Sequence, residues 1–115
     1  MKKIYHLKTC DTCKKILNQL NLTDFEIREI KNKPVNAEEL QEMYALTNSY
    51  EELFNKRARL YKELGLKDKN LTEEDYKNYI LSEYTFLKRP VAIINNEIFV
   101  GNSKKTVEAL IAKTQ

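Results

Sequence analysis

Two cysteines, Cys10 and Cys13, are the only thiols among 115 residues, and they stand together in the stretch Thr9-Cys10-Asp11-Thr12-Cys13-Lys14-Lys15. What flanks them constrains the fold. Upstream, Lys3 to Leu7 reads as a short strand. Downstream, Cys13, Ile16, Leu17 and Leu20 fall at i, i+3, i+4 and i+7, one apolar stripe of a helix. The pair therefore occupies a strand-to-helix turn, with Thr9 or Cys10 at the N-terminus of the helix.

Three chemistries compete for such a pair. A structural zinc site needs about four Cys or His ligands, and this chain offers Cys10, Cys13 and a single histidine, His6. A closed site would need a carboxylate or a second chain, so no metal is expected. Free cysteines are often inert small hydrophobes in a core, which suits Cys13, on the apolar stripe, better than Cys10. The third reading is a redox pair. Unpaired backbone N–H groups at a helix start favour negative charge, which would lower the pKa of Cys10 below about 8.5. One helical turn separates the two, so Cys13 can attack a mixed disulfide formed at Cys10. Cys10 is then the nucleophile and Cys13 the resolver, with Lys14 and Lys15 adding mild positive potential.

The remaining chain gives the pair a frame. Phe25 to Ile30 partly alternates and reads as a second strand. Asn36, Ser49 and Thr72 each precede an acidic residue by three positions, the signature of a helix start. Leu40, Met43 and Tyr44 supply the apolar face of the first of these helices, and Leu53 and Phe54 that of the second. Leu60, Tyr61 and Leu64 follow, with Gly65 as a C-cap; Tyr76, Tyr79 and Ile80 serve the last. Residues 36 to 84 thus form a helical block. Strand character returns at Val91 to Ile94, turns at Asn95-Asn96 and continues through Glu97 to Val100, a hairpin that Gly101 breaks. Ser103 caps a final helix bearing Val107, Leu110 and Ile111. The order is β-α-β, helical block, β-β-α. The outer parts make an α/β, thioredoxin-like layout in one domain spanning residues 1–115, with the helical block inserted between its halves. The first two strands should be parallel, since a crossover helix joins them.

Composition narrows the setting. Hydrophobic residues make up 42% and charged residues 32% of the chain, as in soluble globular proteins. A net charge of +3, spread along the sequence, does not point to direct nucleic-acid binding. No apolar run approaches the roughly 20 residues of a membrane span. The N-terminus lacks the apolar core of a signal peptide. A cytoplasmic location is expected, where a Cys-x-x-Cys is catalytic or metal-binding more often than a structural disulfide. On residue type alone, His6 could simply fill a core position, Arg57 and Arg89 could be solvated surface arginines, and Pro90 could be an ordinary strand start.

Four stretches in the same order change that reading. IYHLKTCDTCKK, LFNKRARLYKELGL, LKRPVAI and IFVGNSKKTVEAL together resemble the ArsC/Spx family of thioredoxin-fold proteins over nearly the whole chain. That family includes glutaredoxin-coupled arsenate reductases and the Spx regulators. The resemblance implies a nucleophilic Cys10. It implies that His6 favours the thiolate and that Arg89 binds the thiolate and an oxyanion. It gives Pro90 as a cis-proline facing the site, and Arg57, an arginine found in the Spx-like branch and in family members of unassigned function, as a catalytic residue that with Arg89 stabilises the thiolate and any oxyanion. Thr9 and Thr12 flank the nucleophile as supporting residues. Arsenate reductases of the family carry arginines where Asn55 and Gly101 stand here, and they usually lack the second cysteine. The phosphatase-like arsenate reductases are excluded, because they need an arginine six residues after the nucleophile, where Ile16 or Gln19 stands.

Two functions follow as expectations. One is a thiol-disulfide oxidoreductase or arsenate reductase-like enzyme that holds no cofactor and is restored by glutathione/glutaredoxin or thioredoxin. The other is a redox-sensing regulator that binds the RNA polymerase α subunit; against it, the loop Thr47-Asn48-Ser49-Tyr50 lacks the glycine that the Spx branch uses at that contact.

Overall fold

The structure, a computed structural model, describes all 115 residues. The chain forms two compact units. One joins Met1–Pro34 to Arg89–Gln115, and the other is Val35–Lys88. No helix is long and apolar enough to cross a membrane.

The first unit is a mixed four-stranded sheet in the order β2-β1-β3-β4. Its strands are β1 (Lys2–His6), β2 (Glu26–Glu29), β3 (Val91–Ile94) and β4 (Glu97–Val100). Helix α1 (Asp11–Leu17) crosses from β1 to β2, and those two strands pair in parallel with His6 opposite Glu29. β3 runs antiparallel to β1, with Tyr5 opposite Val91, and pairs antiparallel with β4. The two central strands are buried on both faces, as their apolar runs require. Ile4, Ala92 and Ile94 form a cluster with Leu110 of the final helix, and Leu17, Leu20, Leu22, Phe25 and Phe99 pack against it. Tyr5, Val91 and Ile93 alternate to the opposite face and are equally buried.

The hairpin lies where its turn chemistry put it. Asn95 adopts a left-handed φ of 55°, which asparagine tolerates better than most side chains. The closing helix runs from Lys104 to Thr114, and the Ser103 side chain accepts from the Thr106 N–H. Helix α1 is shorter than its apolar stripe. It ends at Leu17, with Asn18 as its C-cap, so Leu20 packs from the loop beyond the helix and not from its face.

The second unit is helical: α2 (Ala37–Thr47), α3 (Tyr50–Leu53), α4 (Arg59–Glu63) and α5 (Glu73–Ser82), with 3-10 turns at Leu66–Asp68 and Tyr84–Phe86. The three expected starts are all capped. Asn36 and Glu39 satisfy each other's backbone N–H groups in a full capping box. Thr72 and Asp75 do the same with the shorter acid, whereas Ser49 only accepts from the Glu52 N–H. α3 gains a different anchor: the Glu73 carboxylate accepts the N–H groups of Tyr50 at 2.7 Å and Glu51 at 3.2 Å. Phe54 centres the core of this unit, stacked on Phe86 at 5.1 Å and tilted against Tyr76 at 4.9 Å. Leu64 does not join the apolar face assigned to it. Gly65 turns the chain with φ +64°, which leaves Leu64 47% exposed and sends Leu66 inward in its place, 1% exposed.

Candidate functional site

The Cys-x-x-Cys turn is built by the end of β1. Leu7 is buried and anchors the chain as it leaves the sheet. The Cys10 N–H donates to the Leu7 carbonyl at 3.1 Å, which folds Leu7–Cys10 into a turn. Cys10 is then the N-cap of α1, with extended backbone angles and no capping hydrogen bond from its side chain. Its carbonyl accepts the first helical bond, from the Lys14 N–H at 3.1 Å. Thr9 and Thr12 flank it on the surface. Cys13, one turn on, faces the core with no exposed surface, and both thiols are free. The accessible sulfur is therefore that of Cys10.

Arg89 and Pro90 meet this turn through the sheet. They directly precede β3, whose Val91 pairs with Tyr5, so one and two steps along that register bring Pro90 and Arg89 beside the end of β1. The Arg89–Pro90 peptide bond is cis. Gly101, which breaks the hairpin, extends the ladder by donating its N–H to the Pro90 carbonyl at 2.9 Å. Its φ of +86° lies where L side chains rarely go.

The electrostatics divide the two sulfurs. Partial burial pushes the Cys10 thiol up, but the Cys13 backbone N–H, the Cys13 thiol and the Arg89 guanidinium together outweigh it, so its pKa lies below the ordinary thiol value. With no capping hydrogen bond formed at the Cys10 sulfur, the Cys13 N–H acts on it as a nearby dipole. Cys13 moves the other way. Burial pushes its pKa up to about 11, and the charge of Cys10 adds to the rise, although the Leu7 N–H and Arg89 oppose it. The accessible sulfur is thus biased toward thiolate and the buried one toward thiol. Arg89 brings a full positive charge to Cys10, so replacing it is expected to weaken the thiolate. Arg89→Gln should raise the apparent pKa of Cys10 and slow its alkylation at pH 7 several-fold. An unchanged pH profile would return Arg89 to the solvated surface.

The other candidates lie as follows. His6 ends β1, half-buried, opposite Glu29. Its charge acts on the Glu29 carboxylate. Arg57 belongs to the helical unit, exposed in the turn after Phe54, where its N–H donates to Asn55 Oδ1 at 3.0 Å. No group of three His, Cys, Asp or Glu side chains comes together that could hold a metal ion. Sequence reasoning missed Glu29, whose carboxylate accepts the Lys8 N–H at 2.8 Å and the Asn32 N–H at 2.7 Å. The available signal was an acid ending the strand parallel to the one that delivers the cysteines.

Comparison with known proteins agrees with this architecture. The chain is 28% identical to the uncharacterized protein YfgD of Escherichia coli over 113 residues, covering 95% of each. It is 25% identical to the global transcriptional regulator Spx 1 of Bacillus cereus, over 99% of this chain and 89% of that one. It is 26% identical to an arsenate reductase of Neisseria meningitidis serogroup B, over 95% of this chain and 97% of that one. Among solved structures, an ArsC family related protein from Bacteroides fragilis superposes with a TM-score of 0.77 at 25% identity, covering 95% of this chain and 96% of its own. The ArsC family model matches residues 5–110, from β1 through the cysteine turn and the helical unit into the final helix, and the chain belongs to the ArsC family.

Proposed function

We propose that the chain is a thiol-dependent oxidoreductase in which Cys10 attacks and Cys13 resolves. The observation that carries this reading is the opposed behaviour of the two sulfurs: the accessible one is biased toward thiolate and the buried one, a helical turn away, toward thiol. The Cys10 thiolate attacks one sulfur of a substrate disulfide. A mixed disulfide forms and the first substrate thiolate leaves. Cys10 has now lost its charge, and with it one of the influences that held Cys13 protonated. Cys13 gives up its proton and attacks the Cys10 sulfur, expelling the second substrate thiolate. The substrate has taken two electrons and, with its two thiolates protonated, leaves as two thiols. The enzyme holds a Cys10–Cys13 disulfide, which an external dithiol or two molecules of glutathione return to the reduced form.

A disulfide suits this chain better than arsenate. Asn55 and Gly101 stand where the arsenate reductases carry arginines, and Cys13 supplies the second thiol they usually lack. A reducing compartment such as the cytoplasm would keep the pair in its working state. The test is turnover of a small-molecule glutathione mixed disulfide, with electrons supplied by glutathione and its reductase or by thioredoxin and its reductase. Turnover well above the uncatalysed rate with either system is expected. None with both overturns the reading. The Spx relatives favour a second reading, a redox-sensing partner of RNA polymerase. Capture of the polymerase α subunit by one redox form of the chain and not the other, without disulfide turnover, would support it.

A further inference from the structure

Glu29 lies outside the Cys-x-x-Cys motif, yet it touches the turn that carries it. The parallel register sets Glu29, the last residue of β2, opposite His6, the last residue of β1. From there its two carboxylate oxygens part. Oε2 accepts the Lys8 N–H at 2.8 Å, in the turn after β1, and Oε1 accepts the Asn32 N–H at 2.7 Å, in the turn after β2. Lys8 is two residues before Cys10, inside the turn that the Cys10 N–H closes on the Leu7 carbonyl. One charged side chain thus ties the two turns at this end of the sheet. Some burial acts to raise its pKa, but the N–H groups of Lys8, Asn32 and Lys31, with His6 opposite, outweigh that and hold it below the ordinary carboxylate value.

We propose that Glu29 is a positioning residue for Cys10: its carboxylate holds the Lys8 peptide so that the Cys10 sulfur stays within reach of Arg89 and the Cys13 N–H. This rests on Cys10 being the activated nucleophile. Glu29 touches no reacting atom and acts through the backbone alone.

The sign of one measurement separates positioning from simple charge. Removing a negative charge near a thiol, with nothing else changed, favours the thiolate and lowers the thiol's pKa. Letting the turn drift from Arg89 raises it. Glu29→Gln keeps the shape but offers one acceptor oxygen in place of two, since the amide nitrogen can only donate, so it cannot bridge both turns. Alkylation of Cys10 is followed against pH in the wild type, in E29Q and in Glu26→Gln. Glu26 is a carboxylate on the same strand whose partner is Lys3 of β1, at 3.1 Å. The expected result is a raised apparent pKa in E29Q, with several-fold slower alkylation at pH 7, faster amide exchange at Lys8, and a wild-type profile in E26Q. Should E29Q fold poorly, Glu29→Asp keeps the charge, shortens the reach and carries the same expectation. An unchanged or lowered pKa in E29Q, with the wild-type value below that of an ordinary thiol, overturns the role of Glu29 and leaves the nucleophile intact. A wild-type Cys10 that titrates as an ordinary thiol overturns both.

Discussion

Replacing Cys10 by serine is expected to reduce disulfide turnover to the uncatalysed background while leaving the fold in place. The loss should be complete because nothing else can take over. A serine hydroxyl does not ionise near neutral pH. Cys13 has no exposed surface and a pKa pushed up to about 11, so it neither reaches a substrate nor supplies thiolate. The fold should survive because Cys10 makes no capping hydrogen bond at the start of α1. Serine is among the favoured residues there, and its hydroxyl can accept from the first turn. Thermal unfolding of Cys10→Ser should therefore match or slightly exceed that of the wild type. Turnover measured against the wild type decides the point: activity retained in Cys10→Ser would remove this residue from the mechanism.

Replacing Cys13 by serine is expected to stop the reaction halfway. Cys10 remains accessible, with Arg89 beside it, and still attacks the substrate. The mixed disulfide then has no internal thiol to break it. Mass spectrometry of the variant after exposure to oxidised glutathione should show one glutathione per chain, bound at Cys10. The wild type should instead carry mostly the internal disulfide. Excess free thiol should release the adduct and restore partial turnover by an intermolecular route. A Cys13→Ser protein that turns over as fast as the wild type without building up the adduct would mean that Cys13 is a buried core residue and nothing more.

Different parts of the molecule were legible in the sequence to different depths, for physical reasons. Local backbone chemistry read well. The caps at Asn36, Ser49, Thr72 and Ser103 each accept the N–H three residues on, because a cap depends only on residues within one turn. The Asn95-Asn96 hairpin was set by its turn and by β-branched flanks. Direction after a turn was harder. Gly65 reverses the chain, so the apolar residue that enters the core is Leu66, not Leu64. A periodicity count that runs through a left-handed residue loses its phase there. The length of α1 failed similarly, since the stripe continues to Leu20 although the helix stops at Leu17.

The candidate site divides the same way. The roles proposed for Cys10 and Cys13 come from spacing and position. Arg89 and Pro90 needed resemblance, because an arginine and a proline before a strand look like any others until the pairing of β3 with β1 brings them to the cysteine turn. Glu29 was missed by both routes, its one signal being an acid at the end of the strand parallel to β1. It acts through hydrogen bonds to backbone N–H groups, and the two that it gathers from Lys8 and Asn32 share no sequence pattern with it.

The central claim is that two thiols one helical turn apart have been made unequal, and it is tested most directly by alkylating the reduced protein with iodoacetamide across a range of pH and following each cysteine by mass spectrometry. The account requires Cys10 to react first, with an apparent pKa below that of an ordinary thiol, about 8.5, while Cys13 stays slow until the pH approaches its raised value of about 11. Two cysteines titrating together near the ordinary value, or Cys13 reacting ahead of Cys10, would contradict it.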